Sequence, residues 1–333
     1  MTDWWAHRFS SVLLLALVFA PACARASSSF ATVTACGARI DVEFRGVPTT
    51  RALTRGGGGG ETESVSRNDL LNWINSAATA VCGYYGEFPT RHFSLLVKVD
   101  GRRGVHSGTT FPRGEGFTRI SVGPQTTVGD LKQDWMMTHE MIHLAFPSMA
   151  DSHHWIEEGI STYVEPVARV QAGQLSAIDL WSQFVRDMPQ GEPQPGDRGL
   201  DQTHTWGRTY WGGAMFCLVA DVEIHRETGN RKGLRDALRA IVAGGGTIDH
   251  DWSLPQALEI GDRATGTHVL ADMYAKWKDA PVPVDLDKLW SDLGIHSTAD
   301  GIEFAADAPL SKVRDAIASD PPHRPSSAAS GQL

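Results

Sequence analysis

The stretch Met136–Phe146, MMTHEMIHLAF, places two histidines four residues apart and a glutamate directly after the first of them. On an α-helix, residues four apart lie on the same face, separated by a rise of about 6 Å. The imidazoles of His139 and His143 can therefore reach one metal ion. Glu140 projects beside it, where a carboxylate can act as general base toward water. The spacing predicts a zinc site, and the alternative is two helix histidines that bind no metal.

A hydrolytic zinc site needs a third protein ligand and one open coordination position. The stretch Trp155–Glu165, WIEEGISTYVE, provides carboxylates on the next predicted helix. The apolar periodicity of this helix favours Glu157, which borders the apolar face, because Glu158 lies nearly opposite that face. For either glutamate, the alternative is an ordinary place on a solvated helix surface.

The two stretches together resemble the gluzincin metallopeptidases, most closely the aminopeptidase N and glycyl-aminopeptidase groups. In those groups the third zinc ligand is the glutamate of a Trp-x-x-Glu-Gly motif, followed by a small residue and a tyrosine. The matching residue here is Glu158. The resemblance covers roughly Leu95–Arg239. It implies Zn²⁺, a peptide or protein substrate, and a thermolysin-like zincin catalytic domain of the α+β class.

The same groups carry a tyrosine that opens a long apolar helix and stabilises the oxyanion through its hydroxyl. The stretch TYWGGA places Tyr210 at this position, although Gly212 stands where a lysine is common. The alternative for Tyr210 is a core tyrosine. Two departures are visible: only 14 residues separate His143 from Glu158, and the Gly-x-Met-Glu-Asn motif that binds a free amino terminus has no counterpart. The resemblance therefore does not predict aminopeptidase activity.

Several residues near the motifs have two interpretations each. His153 and His154 are either exposed loop histidines or additional ligands and substrate contacts. Glu165, two turns beyond Glu158, either orients a metal ligand or is a surface charge. The predicted strand Thr118–Val122 is either purely structural or a sheet edge along which an extended peptide pairs.

Hydrophobic periodicity predicts a small mixed α/β half followed by a mainly helical half. The predicted strands are Arg39–Phe44, His92–Asp100 and Thr118–Val122. The predicted helices are Ser66–Tyr84, Gly129–Phe146, Trp155–Gln171, Tyr210–Thr228 and Leu234–Ala243. Gly56–Gly60 and the glycine-rich segment Gly101–Gly116 are predicted to be loops.

Composition limits the classes of protein that fit. The chain has 333 residues, a formal net charge of −9 and a pI near 5.8, which argues against nucleic-acid binding. After Arg8, the apolar run Val12–Ala20 is short for a membrane span and is followed by small residues. This pattern predicts a signal peptide over 1–26 and a secreted or periplasmic protein without stable membrane insertion. A lipoprotein anchor at Cys23 fits less well because proline precedes the small residue.

Export permits a disulfide between Cys36 and Cys82, with Cys217 buried in an apolar helix. The predicted organisation is a signal peptide 1–26, an α/β subdomain 27–125, a helical subdomain 126–320 carrying the zinc site, and a disordered tail 321–333. The predicted function is that of a secreted zinc metallopeptidase. The rival is a non-catalytic zinc-fold protein that binds a partner in the same cleft. The sequence does not determine the oligomeric state.

Overall fold

The computed structural model describes residues 28–47, 53–55, 61–63, 65–101 and 103–319. The predicted signal peptide 1–26, the run Gly56–Gly60 and the predicted tail 321–333 lie outside the described residues. Among the residues described, none of the helices is both long and apolar enough to span a bilayer.

The amino-terminal half is organised around one twisted sheet. Within the described residues the strands are β1 Ser28–Ala35, β2 Ala38–Arg45, β3 Leu53–Arg55, β4 Glu61–Glu63, β5 His92–Val99, β6 Val105–Phe111, β7 Phe117–Val122, β8 Ile295–Thr298 and β9 Gly301–Phe304. The main sheet has the order β1-β2-β5-β7-β6. Strands β2, β5 and β7 are parallel, and β1 and β6 are the antiparallel edge strands. The pairs β3-β4 and β8-β9 form separate hairpins.

Helices pack against this sheet and make up most of the rest of the described chain. They are α1 Arg67–Tyr85, α2 Val128–Gln133, α3 Met136–Ile142, α4 His154–Gln171, α5 Ala177–Asp187, α6 Gly213–Glu227, α7 Leu234–Ala243, α8 Leu254–Thr265, α9 Val269–Trp277, α10 Leu286–Leu293 and α11 Ser311–Ala318. Helix α4 packs against α1, α3 and α6 and is therefore enclosed on most of its surface. The predicted α+β architecture is confirmed.

The first hairpin is joined to helix α1 by a disulfide. The turn between β1 and β2 uses Cys36 and Gly37, both with positive φ, as a two-residue hairpin of this twist requires. Cys36 bonds to Cys82 in the last turn of α1, and Cys217 is a buried free thiol. Helix α1 begins with a capping box in which the Ser66 hydroxyl accepts from a backbone N–H. The predicted disulfide and the predicted start of this helix are both confirmed.

The predicted helix Gly129–Phe146 is wrong in one respect, because it is interrupted. Asp134 ends α2 in an extended conformation, and its carboxylate accepts from the backbone N–H groups of Met136 and Met137, which open α3. The helix then tightens into a 3₁₀ turn at His143–Ala145. Similarly, the predicted helix from Tyr210 begins within a π-helical turn, Arg208–Gly212, that leads into α6.

Two predictions about the sheet are corrected. The glycine-rich segment 101–116 contains strand β6, whose residues VHSGTTF are too small and polar to show an apolar alternation. Strand Thr118–Val122 lies within β7, which is paired on both sides by β5 and β6. It is therefore not the edge along which a peptide can pair, and that position belongs to β6.

Candidate metal centre

Helices α3 and α4 bring together the two motif histidines and one glutamate. Glu158 Oε2 lies 3.1 Å from His139 Nε2 and 3.6 Å from His143 Nε2. One ligand atom from each of these residues lies within 4.8 Å of the other two. The imidazole rings are 5.0 Å apart between centroids and nearly perpendicular. Three donors of the types that zinc prefers therefore face one point.

The two adjacent glutamates of α4 point in different directions. Glu158 is 8% exposed and faces the histidines. Glu157 instead accepts a hydrogen bond from the backbone N–H of Met149 at 3.2 Å. Glu158 lies opposite the apolar face, yet it is buried because α3 covers that side of α4. The register implied by the motif, and not the one favoured by periodicity, matches this geometry.

The electrostatics of the cluster suit a bound cation. Burial opposes ionisation of Glu158, but hydrogen bonds from His139, His143 and His154 hold its pKa well below the usual range. Burial also opposes the charged form of His143, yet the hydrogen bond and negative charge of Glu158 raise its pKa. The pocket thus stabilises positive charge beside a fixed carboxylate.

His153 and His154 lie at the start of α4, as its N-cap and its first residue, and both contact other side chains. His154 Nε2 lies 3.3 Å from Glu158 Oε1, and its Nδ1 lies 3.3 Å from Glu157 Oε2. These two contacts raise the pKa of His154 to about 10. His153 lies 3.1 Å from the Tyr274 hydroxyl. His154 therefore supports the far oxygen of Glu158, a role that the sequence did not indicate.

The expected general base is held by the edge strand of the sheet. Glu140 is 6% exposed, and the Thr110 hydroxyl donates to its Oε2 over 2.7 Å. The same hydroxyl lies 2.9 Å from that of Thr118 on β7. A Cβ atom on Gly108 would lie 2.6 Å from Glu140 Oε1, so only glycine leaves room for the carboxylate. An isolated glycine in a strand marks such a close approach.

Tyr210 lies in the same cleft, on the π-helical turn. Its ring stacks on that of His139 at 6.4 Å between centroids. Burial, followed by the negative charge of Glu158, raises the pKa of Tyr210 to about 12, so its hydroxyl remains a donor at neutral pH. Single π-helical turns occur often at functional sites. Tyr210 is half-buried: it packs against the hydrophobic core and also lines the cleft beside the histidines. It is therefore not an ordinary core tyrosine.

Close backbone packing positions this turn. A Cβ atom on Gly159, next to Glu158, would lie 2.5 Å from the Cα of Gly213. Helices α4 and α6 therefore touch backbone to backbone at this pair. The buried Arg208 forms an ion pair of 2.8 Å with Asp197 and anchors the start of the turn.

Glu165 has neither of its predicted roles. It is 3% exposed and forms an ion pair of 2.8 Å with Arg169 on the same helix. Arg169 also donates to the backbone carbonyl of Lys132. Glu165 thus holds Arg169, which ties α4 to the end of α2.

A cleft of about 1150 Å³ runs beside the centre and is lined by His139, Tyr210 and neighbouring residues. Small-molecule sites enclose roughly 300–1,000 Å³. The cleft therefore has room for a polymeric substrate such as a peptide. Strand β6, which carries Gly108 and Thr110, is the sheet edge nearest to the metal centre.

Comparison of the whole chain with solved structures identifies the fold. An aminopeptidase N family protein from Idiomarina loihiensis superposes with a TM-score of 0.58 at 11% identity, covering 85% of this chain and 53% of that one. It has the same fold. The expected fold, that of a thermolysin-like catalytic domain of the α+β class, is confirmed.

Two further solved structures are similar. An M1 zinc metallopeptidase from Deinococcus radiodurans matches with a TM-score of 0.46 at 14% identity. A variant of a two-domain M1 zinc metallopeptidase bound to L-arginine matches with a TM-score of 0.48 at 14% identity. The alignments cover 78% of this chain and 53% and 54% of those chains, respectively. The chain thus spans about half the length of the structures it matches. No protein-family model matches the chain, and no curated protein matches it in sequence.

Proposed function

We propose that the chain is a zinc-dependent peptidase in which His139, His143 and Glu158 hold Zn²⁺. The convergence of these three side chains, with Glu140 held beside them, carries the proposal. The residues fit the ion: two imidazoles and one carboxylate are the ligand set of several catalytic zinc sites. The Glu158 oxygen placed between the two rings supplies negative charge where a cation would bind.

In this mechanism each residue of the site has a separate role. Zinc bound here would polarise the substrate carbonyl and make water more acidic. Glu140 takes a proton from the attacking water and passes it to the leaving amine. The Thr110 hydroxyl holds one oxygen of Glu140, which leaves the other free to accept the proton. The Tyr210 hydroxyl donates to the negative charge that develops on the carbonyl oxygen.

Substrate binding is proposed along the edge of strand β6. An extended peptide can add to an exposed sheet edge through backbone hydrogen bonds. Strand β6 has β7 on one side only, and its Gly108 contacts Glu140 directly. A peptide paired with β6 would therefore pass close to the general base. This assigns to β6 the role that the sequence suggested for Thr118–Val122.

We also propose that the protein is exported and that a signal peptide covering 1–26 is removed. The Cys36–Cys82 disulfide supports this, because disulfides persist in oxidising compartments. The division into subdomains 27–125 and 126–320 remains a proposal as well. Mass spectrometry of the mature amino terminus tests the export proposal, which an uncleaved, reduced cytosolic chain would contradict.

The decisive experiment combines metal analysis with peptide hydrolysis. Glu140→Gln keeps the ligand set, so we expect one zinc per chain and a loss of turnover of about 10²- to 10⁴-fold. Glu158→Gln should lose zinc, whereas Glu157→Gln, its matched control, should retain both zinc and activity. Undiminished hydrolysis by Glu140→Gln would refute the mechanism. Stoichiometric zinc in a wild-type protein that cleaves no peptide in a broad library would favour the partner-binding rival.

A further inference from the structure

Four aromatic side chains form a continuous row through the metal centre: Trp135, His139, Tyr210 and Trp206. Successive ring centroids are 5.3, 6.4 and 5.6 Å apart. The histidine and the tyrosine at the middle of this aromatic row belong to the proposed catalytic machinery. The tryptophans at its two ends are 47% and 60% exposed.

Sequence spacing explains why both tryptophans face the site. Trp135, the N-cap of α3, precedes His139 by four residues, and Trp206, just before the π-helical turn, precedes Tyr210 by four residues. Side chains four apart on a helix are neighbours. Each tryptophan therefore packs against one site residue, and both tryptophans line the cleft. Large apolar surfaces left open beside a site mark a binding region.

The carboxylates that line the cleft have hydrogen-bond or ion-pair partners within the protein. Asp134 accepts from the indole of Trp73 and from two backbone N–H groups. The Asp179 carboxylate accepts from the backbone N–H and the hydroxyl of Ser176, the N-cap of α5, and Asp187 is paired with Arg186. Because these carboxylates already have donors, they have less capacity to bind a charged substrate side chain. The open surface at the centre is instead aromatic.

We propose that Trp135 and Trp206 form a subsite for a large apolar side chain next to the scissile bond. This inference rests on the proposed function and names its substrate class: peptides with an aromatic or bulky aliphatic residue beside the bond cleaved. Aromatic rings prefer offset-stacked or edge-to-face contacts at 4.5–7 Å between centroids. The separations within the aromatic row fall in that range, so a substrate ring can extend the packing at either end.

Binding to the zinc-loaded Glu140→Gln variant tests the subsite independently of turnover. The probes are amino- and carboxyl-blocked pentapeptides of alanine whose central residue is phenylalanine, alanine or aspartate, titrated by calorimetry. We expect the phenylalanine peptide to bind roughly tenfold more tightly than the alanine peptide, as aromatic packing and apolar burial together allow. The aspartate peptide should bind most weakly. Equal affinities for all three would overturn the proposal.

Tryptophan variants in the same background locate the preference. Trp135→Ala and Trp206→Ala should each weaken binding of the phenylalanine peptide about three- to tenfold and leave the alanine peptide within about twofold. Replacement of either tryptophan by phenylalanine should restore most of the difference. Phe30→Ala, which alters a 70% exposed ring on the opposite sheet edge, is the matched control.

The outcomes separate this inference from the proposed function. Preferential binding of the phenylalanine peptide that disappears in the alanine variants supports the subsite. This holds even when the wild-type protein hydrolyses none of the peptides, because the absence of hydrolysis contradicts only the peptidase assignment. Hydrolysis by the wild-type protein with the same preference in both alanine variants overturns the subsite and leaves the peptidase assignment intact. Zinc content, measured in each variant, excludes a collapsed metal centre as the cause of weak binding.

Discussion

Substitution of Gly159 by alanine is the sharpest test of how the site is assembled. Gly159 follows Glu158 directly, and its Cα packs on the backbone of Gly213, three residues beyond Tyr210. A Cβ atom at position 159 would lie 2.5 Å from the Cα of Gly213. Since non-bonded carbons pack at about 3.5–4.0 Å, the two helices must separate by about 1 Å. No rotamer change relieves this clash, because the position of a Cβ atom is fixed by its own backbone and the atoms that it meets are backbone atoms of Gly213.

The consequences differ for stability and for catalysis. Overpacking of this kind costs about 1–3 kcal/mol of unfolding free energy, which urea denaturation measures. A displacement of about 1 Å between catalytic groups can lower turnover roughly 100-fold. We therefore expect Gly159→Ala to remain folded while its kcat falls roughly 100-fold. Zinc content shows which helix moved: zinc is lost if α4 carries Glu158 away and is retained if α6 carries Tyr210 away.

Gly83→Ala is the matched control. Gly83 lies within helix α1, has a negative φ, and an added Cβ would meet no atom within 4 Å. This substitution should stabilise the protein by up to about 1 kcal/mol and leave kcat unchanged. If Gly159→Ala keeps kcat within about twofold of wild type, the contact between α4 and α6 does not set the position of Tyr210, and our account of the site's assembly is wrong.

Two further substitutions test individual contacts. Thr110→Val removes the hydroxyl that donates to Glu140 at similar volume; we expect roughly a tenfold or greater loss of kcat with zinc retained, while Thr110→Ser keeps most activity. Equal rates for the serine and valine variants would exclude this positioning role. At Glu165, burial raises the pKa from 4.5 to about 7 although Arg169 lowers it. The folded chain then binds more protons than the unfolded chain between those pH values, so the unfolding free energy falls as pH rises across that window. Glu165→Gln should remove that part of the slope in urea denaturation, and an unchanged slope would contradict the assigned pKa.

Much of the metal centre could be predicted from sequence because its spacing is local. The four-residue separation of His139 and His143 places both rings on one side of any helix, whatever surrounds it. The choice between Glu157 and Glu158 is different, because periodicity identifies the side of a helix that faces the core only when the other side faces water. Helix α4 is enclosed by α1, α3 and α6, so its polar side is buried against the site. A motif register retains that information, and a helical wheel does not.

The features that escaped prediction depend on contacts between distant parts of the chain. Strand β6 has no apolar alternation, and its Gly108 and Thr110 contact Glu140, thirty or more positions later in the sequence. A residue chosen for such a contact departs from the pattern of its own strand. The same holds for the break at Asp134, whose carboxylate caps α3 and so directs the helix that carries the histidines. In both cases the sequence departs from the expected strand or helix pattern at residues that contact the candidate site or position the helix that carries it. In this chain a short polar strand with one glycine, upstream of the helix that carries the two histidines, contacts the glutamate of that helix.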